Sequence, residues 1–593
     1  MFPLRLALCF LLLLENPVLG STQKIADRIY YGGDIVTADD TNPDAEAVAV
    51  RNGRIIGVGA LAGIVRMRGA DTELLNLDGR TLAPGFIDAH GHLSRTGLQA
   101  ICANLLRPPH GRSRSVADIV QTLRRWKENP RARKLGLILG FGYEESRFGG
   151  NRRLTRGHLD AVSTELPVIA IHRSGNRSVF NSRALALAGF RGGSREGQDG
   201  VLEGTVHDFA LRRVLDKLVK ENVSTLIEAA QRLYIRFGHT TAQDSAPGPA
   251  ALKVYSDLAA SGRLKIDVVA YPDPLRDRDQ ALLPGPVRSR NYMNGFRIGG
   301  ILLRFADPSY PWAARHGAPW LRRTSGPPGG TGGMDASGDT ALLAEALRNG
   351  WQVIVRPRNA RAAGRFYSAM RAMTVPGRNR PVLVHDRNLR PAGLWTLGDL
   401  GIAPLLLAGP LPEGEHAYGA GPGFGNAPAG PLVKEGVPFT AGHGAPDAPP
   451  NMLHVMAALV RQVESGDPET SAPAGPARMA ALKAVTLWAA RQYSEEETKG
   501  SISPGKLADL TILSANPLTA GPEALRDIRV MQTIKEGQTI FVRPEENEHP
   551  SRACADSAQC FSGITAALFR AGTVLPGVPP RRAASLGGDF PVR

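Results

Sequence analysis

The sequence predicts an α/β chain: a distorted (β/α)8 barrel joined to a small composite β-sandwich domain built from both ends of the chain, with a long excursion after the first barrel strand. Three observations carry this. Eight apolar runs are spaced as strands alternating with helices. Short segments of β-type alternation sit at both ends of the chain. At 593 residues, 42% of them hydrophobic, the chain is too long for one ordinary domain and apolar enough to bury a large core.

Residues 1–20 are expected to be a cleaved signal peptide: Arg5 precedes an unbroken apolar run from Leu6 to Leu14, and Val18-Leu-Gly20 offers a cleavage point. Such a run is too short to cross a bilayer, so no transmembrane segment is expected after cleavage, and the mature protein should be secreted or periplasmic. Residues 21–80 read as the first half of the β-domain, with Arg28–Val36, Ala47–Val50 and Arg54–Val58 as strands between Asp, Asn and Gly turns. The barrel is placed at 81–490. Its first strand is Thr81-Leu-Ala-Pro-Gly-Phe-Ile-Asp-Ala-His-Gly-His-Leu93, an insertion fills about 95–236, and the other seven strands are 238–244, 265–271, 299–305, 351–356, 380–385, 403–408 and 437–443. Glycine- and proline-rich tracts at 326–338 and 409–430 read as long loops. Residues 491–545 complete the β-domain through Leu507–Leu513 and Val530–Val542, and 546–593 read as a poorly ordered tail in which Cys554 and Cys560 could pair.

A formal net charge of +16 invites a nucleic-acid reading, but the arginines are scattered and no basic block or aromatic-interleaved repeat occurs. A solvated basic surface and a small-molecule substrate are expected instead, with no nucleic-acid partner.

The chemistry starts at His90 and His92. Residues two apart on a strand share a face, so both imidazoles could grip one cation beyond the strand end. The run Leu82–His92 resembles the first barrel strand of the amidohydrolase superfamily. Far downstream, Gly500-Ser-Ile-Ser-Pro-Gly-Lys-Leu-Ala-Asp-Leu-Thr-Ile-Leu513 resembles the strand pair with which that family returns to its small β-domain. The likeness is nearest to the amidohydrolase 3 branch and spans residues 27–543. It implies a metal-dependent hydrolase cleaving a non-peptide carbon–nitrogen bond, in an amide, formamide or cyclic amide, with the insertion closing over the site.

Residue by residue, the resemblance is partial. His90, His92 and His385 stand at family ligand positions. Leu303, beside Arg304, stands where the branch has a lysine; Arg356 stands where strand five carries a histidine; Gly442-His443 replaces Ser-Asp; and Asn176 replaces the histidine of a Ser-Gly-His phrase, although His172 is kept. A guanidinium cannot bind a cation, and a positive charge ~4 Å from a dication opposes it by several kcal/mol at an effective dielectric of ~20. One divalent metal, zinc first, is therefore expected on His90, His92, His385 and His443. His443, Glu203 and Asp447 are the candidates for moving protons, and His172, Asn176, Arg356 and Arg304 for contacting substrate. The competing expectation is a catalytically inactive barrel that binds an anionic small molecule through Arg356 and Arg304, or an Arg356 that merely pairs with an internal carboxylate.

Overall fold

The computed structural model describes residues 25–107, 112–144, 153–190, 199–273, 291–305, 336–357, 360–373, 380–385, 394–407, 429–446, 448–464 and 472–544. Residues 1–24, which include the expected signal peptide, residues 545–593 with their two cysteines, and Asp447 lie outside them. The chain opens in a small sheet, where β1 (Ala26–Val36), β2 (Asp44–Arg51) and β3 (Arg54–Gly59) form an antiparallel meander. β4 (Arg68–Asn76) and β5 (Thr81–Pro84) lie parallel to β1. β4 was not expected from sequence: no residue of it is fully buried, so no apolar face announces it.

The stretch expected as one strand from Thr81 to Leu93 divides at Gly85. Thr81–Pro84 stay in the small sheet, and only β6 (Phe86–Ile87) enters the barrel. A Cβ at Gly85 would lie 2.4 Å from Thr240 Cγ2, so the crossing between sheets has no room for a side chain.

The insertion follows as its own five-stranded sheet. β7 (Ala103–Asn104), β8 (Ile138–Tyr143) and β9 (Val168–His172) run parallel, and β10 (Arg177–Phe180) pairs antiparallel with β9 on one side and with β11 (Val201–Glu203) on the other. A separate apolar cluster that includes Ile119, Leu123, Trp126, Ile138 and Val168 holds it together. Helix Val116–Lys127 supplies three of those residues at helical spacing, and Ser115 Oγ caps its start by accepting from Asp118 N at 3.2 Å. Helices Gly204–Glu221 and Val223–Arg236 lead back to the barrel.

The barrel resumes with β12 (His239–Ser245), β13 (Asp267–Tyr271), β14 (Phe296–Ile298), β15 (Gly300–Leu303), β16 (Gln352–Val355), β17 (Val382–His385), β18 (Ala403–Leu407) and β19 (Thr440–Gly442). All pairings from β6 to β14 and from β15 to β19 are parallel. β14 and β15 are one strand broken at Gly299, whose backbone N still donates to Ala270 O at 2.9 Å. The nine segments thus make eight strands. The two-residue period sorts their side chains: Ile87, Val269, Leu302, Ile354, Val382, Val384, Leu405 and Leu407 pack together inside. Their neighbours Ile301, Leu303, Val353, Val355, Leu383 and Leu406 pack with Phe366, Met452 and Met456 from the surrounding helices. Between the eighth and first strands Gln492 acts as the link, donating to Ala89 O at 2.9 Å and accepting from Thr440 Oγ1 at 2.7 Å.

β20 (Leu510–Leu513), β21 (Val530–Lys535) and β22 (Gln538–Val542) return to the small sheet, where β20 pairs antiparallel with β5. Beneath the barrel's amino ends a buried network joins the two parts. Lys499 meets Asp267 at 2.5 Å and Glu495 at 3.1 Å, Lys535 meets Asp267 at 3.0 Å and Asp509 at 2.9 Å, and Arg297 meets Glu495 at 2.6 Å. Three cations thus meet three carboxylates. Burial pushes the Asp267 carboxyl up, but the charges of Lys499 and Lys535 outweigh it and hold the group below the ordinary carboxylate range. Among the described residues no helix is long and apolar enough to cross a membrane.

Candidate active site at the carboxyl ends of the barrel strands

Because the eight strands are parallel, the residues that follow their last rungs gather at one end, the end where barrels of this kind carry chemistry. His90 and His92 follow β6, Asp244 and Ser245 end β12, Arg304 follows β15, Arg356 follows β16, His385 closes β17 and His443 follows β19.

The first-strand segment is not extended as far as His92. After Ile87 the chain turns, and the Asp88 carboxylate accepts from His90 N at 3.0 Å and from Gln243 N at 3.3 Å. Gly91 permits this turn, since a Cβ there would lie 2.1 Å from Asp88 Oδ2. The imidazoles nevertheless stay together, their ring centroids 5.6 Å apart and their planes at 71°.

Both rings are anchored through Nδ1. His92 Nδ1 donates to the Ser245 carbonyl at 2.5 Å, which leaves its Nε2 with the lone pair. His90 Nδ1 lies 3.2 Å from Ser245 Oγ and 3.3 Å from the amide end of Gln243. The orientation of that amide follows from Tyr493, whose hydroxyl is 2.5 Å from Asp88 O and 2.7 Å from the other end of the Gln243 amide. A phenol has one proton, and a carbonyl only accepts, so that proton goes to Asp88 O. Gln243 then turns its NH2 to Tyr493 and its oxygen to Ser245 and His90, the half-turn that exchanges two amide atoms of nearly equal size. His90 Nδ1 is thereby a donor too. Its Nε2 is buried with no hydrogen-bond partner. Burial, then the charges of Arg356 and Arg304, push His90 down to about 3, so the ring is neutral and its lone pair available at ordinary pH. Burial likewise pushes His92 well down.

His443 does not join them as a ligand. Its Nδ1 accepts from Ala445 N at 2.8 Å, so the neutral ring carries its proton on Nε2, 3.3 Å from Asp88 Oδ1. That Nε2 is buried without a hydrogen-bond partner and, carrying the proton, has no lone pair to offer, which argues against His443 as a metal ligand. The same placement argues against a proton-transfer role in contact with substrate, because the Asp88 and His443 side chains are both fully buried. Burial pushes the Asp88 carboxyl up to about 7 against the hydrogen bonds it receives. Tyr234 and His239 close this region from behind, the His239 ring 5.5 Å from that of His443.

Glu203, expected as a spare carboxylate, sits on the exposed edge of the insertion, 3.5 Å from Arg177 and 63% exposed. Nothing among the described residues brings it to the histidines. The contacts described for His172 and Asn176 stay within the insertion. The His172 ring lies against Tyr143 at 5.2 Å and its Nδ1 is 2.9 Å from Ser174 Oγ, while Asn176, exposed, accepts from Gly204 N at 3.0 Å. The backbone of His385 pairs with Leu406. Arg304 Nε lies 3.4 Å from Asp273 Oδ2.

A metal would fit His90 and His92, two neutral rings with Nδ1 fixed and Nε2 to spare, the arrangement in which an outer hydrogen bond orients a ligand histidine. Among the described residues no third His, Cys, Asp or Glu side chain completes the shell. Sequence reasoning passed over Asp88, Gln243, Ser245 and Tyr493. Asp88 did leave a signal: it precedes His90 by the same two residues that separate His90 from His92, and it is a carboxylate inside an apolar run.

The profile of the amidohydrolase family matches residues 73–541, and the chain belongs to that family. It is 27% identical over 561 residues to the Arabidopsis thaliana protein LONG AFTER FAR-RED 3, covering 87% of this chain and 92% of that one. It is 23% identical over 566 residues to the N-substituted formamide deformylase of Arthrobacter pascens, covering 88% and 99%. Among solved structures, a metal-dependent hydrolase from Pyrococcus furiosus superposes with a TM-score of 0.58 at 20% identity, covering 83% of this chain and all of that one. The fold is thus the amidohydrolase fold of metal-dependent hydrolases.

Proposed function

We propose that this chain is a metal-dependent hydrolase of a non-peptide carbon–nitrogen bond in a small molecule, an amide, formamide or cyclic amide. One divalent ion, zinc first, is held by His90 and His92 with His385 as the third candidate ligand. The observation that carries the reading is the unpartnered, fully buried Nε2 of His90 beside a His92 whose own lone pair is left on Nε2. The formamide deformylase relative supports the bond class. When bound, such an ion supplies Lewis acidity toward a carbonyl oxygen and makes water a nucleophile at neutral pH. The chain's own residues orient the rings: the Ser245 carbonyl fixes His92, and Ser245 Oγ with the Gln243–Tyr493 pair fixes His90. Asp88 holds the turn beneath them through its bond from His90 N. The apolar run Leu6–Leu14 supports placing the mature protein outside the cytoplasm.

Metal analysis of protein purified without added zinc tests this. About one equivalent is expected, falling to near zero in His90→Ala and His92→Ala, together with amine release from an N-substituted formamide that follows metal content. A second reading is favoured by Arg356, a cation at a position the family gives to a ligand: a barrel that binds an anion and does no chemistry. Absent metal and absent turnover in the wild type would select it.

A further inference from the structure

Arg304 and Arg356 stand side by side. The ladder between β15 and β16 pairs Leu303 with Val355, and Arg356 N donates to the Leu303 carbonyl at 2.9 Å. The two arginines are therefore the next pair beyond the last rung, on strands ~4.8 Å apart, where like charges repel. Arg304 has an answer in Asp273, which is buried just past the end of β13. Arg356 has no carboxylate within ion-pair reach among the described residues. It is half-buried, which reduces screening of its charge, and that charge bears on His90 and, more weakly, on His92. Of the two adjacent cations only Arg304 is paired, by Asp273 on the far side of it from Arg356, so the Arg356 guanidinium faces the mouth of the barrel without a carboxylate among the described residues.

We propose that Arg356 binds a carboxylate on the substrate, with Arg304 as the second cation, so that the substrate class is an acidic amide: a carbon–nitrogen bond with a free carboxylate nearby. A guanidinium offers two parallel N–H donors that match the two oxygens of a carboxylate, a geometry that a lysine ammonium cannot reproduce. The word substrate rests on the hydrolytic reading above; the anion site itself does not.

N-acetylglycine, which carries an amide and a carboxylate, and acetamide, its neutral counterpart, are the probes. Their binding to the full chain is measured by calorimetry at matched ionic strength, before and after metal removal by a chelator. Wild type should bind N-acetylglycine at least about tenfold more tightly than acetamide, as a charge-assisted pair implies. Arg356→Gln should abolish that preference and Arg356→Lys should keep only part of it, with circular dichroism confirming that each variant is folded. Should Arg356→Gln fail to fold, the reduced preference of Arg356→Lys carries the test. Equal binding of the two probes, no binding of N-acetylglycine, or an unchanged preference in a folded variant would overturn the proposal. A preference that follows Arg356 in protein that never holds metal would leave this site standing and remove the hydrolytic reading. Metal at one equivalent with no preference would do the reverse.

Discussion

His239 shows at the residue scale what it takes to keep an imidazole inside this molecule. Its Nε2 donates to Pro450 O at 2.8 Å, its Nδ1 has no partner, and burial pushes it down to about 4. The folded value lies below the ~6.5 of an unfolded histidine, so between those values the unfolded chain binds more protons than the native one. Stability from neutral burial is therefore full above about pH 6.5 and lost as pH falls toward 4, by about 3 kcal/mol for this ring. His239→Gln keeps a donor for Pro450 without a proton to gain. Urea unfolding at pH 7 and pH 4 should show wild type losing about 3 kcal/mol more than the variant across that range; parallel losses would mean that the ring is not neutral and buried. Asp88 is subject to the same penalty in the opposite sense, since burial disfavours its charged form and raises it.

At the scale of elements, the strands that could be read from sequence are those buried on both faces. Val353-Ile-Val355, Val382-Leu-Val384 and Leu405-Leu-Leu407 are uniformly apolar because one set of side chains faces the interior and the other the helices. What could not be read is where geometry, not hydrophobicity, decides. Whether the first-strand segment ends at Ile87 or His92 depends on a carboxylate folding back over Gly91, and whether Thr81–Pro84 belong to barrel or small sheet depends on the Pro84–Leu510 rung, a pairing 426 positions away, from 84 to 510. The histidine pair was legible from its spacing. The roles of His443 and Glu203 were not, because a nitrogen's partner is set by tertiary contacts. Glycine gives a direct test: a Cβ at Gly300 would sit 2.0 Å from Gln352 O, on the rung that joins β15 to β16. Gly300→Ala should cost more than about 3 kcal/mol or yield insoluble protein, since backbone must move. Gly262→Ala, strained only by its φ of +64° in open space, should cost about 1 kcal/mol. Similar denaturation midpoints for the two would contradict the close approach.

The whole molecule is held together at the end away from the histidines. Asp267 and Arg297 come from the barrel, Glu495 and Lys499 from the segment that follows it, and Asp509 and Lys535 from the returning strands, so the six charges span all three. Removing one partner of such a buried set strands a charge, which is far more costly than never having had the set. A chain stopped after Pro504 loses Asp509, Lys535 and β20–β22, and uncovers Leu82, Val48 and Val50 of the small sheet's core. It should be insoluble, judged by the fraction recovered after centrifugation and by chromatography. A soluble, cooperatively unfolding truncated protein would show that the small sheet does not need its second half.

The rung between β5 and β20 also fixes how the molecule would carry a mechanical load. Residues 85–509 form a loop whose base is closed by four antiparallel pairs, Thr81–Leu513 through Pro84–Leu510. A pull applied between residues 25 and 544 enters through β1 and β22, and passes from one to the other across that base. The barrel, with its histidines and arginines, hangs off the line of force and stays slack until the small sheet shears. In a single-molecule stretching trace the sheet is then the first barrier to yield, and the contour length of the barrel is released only afterwards.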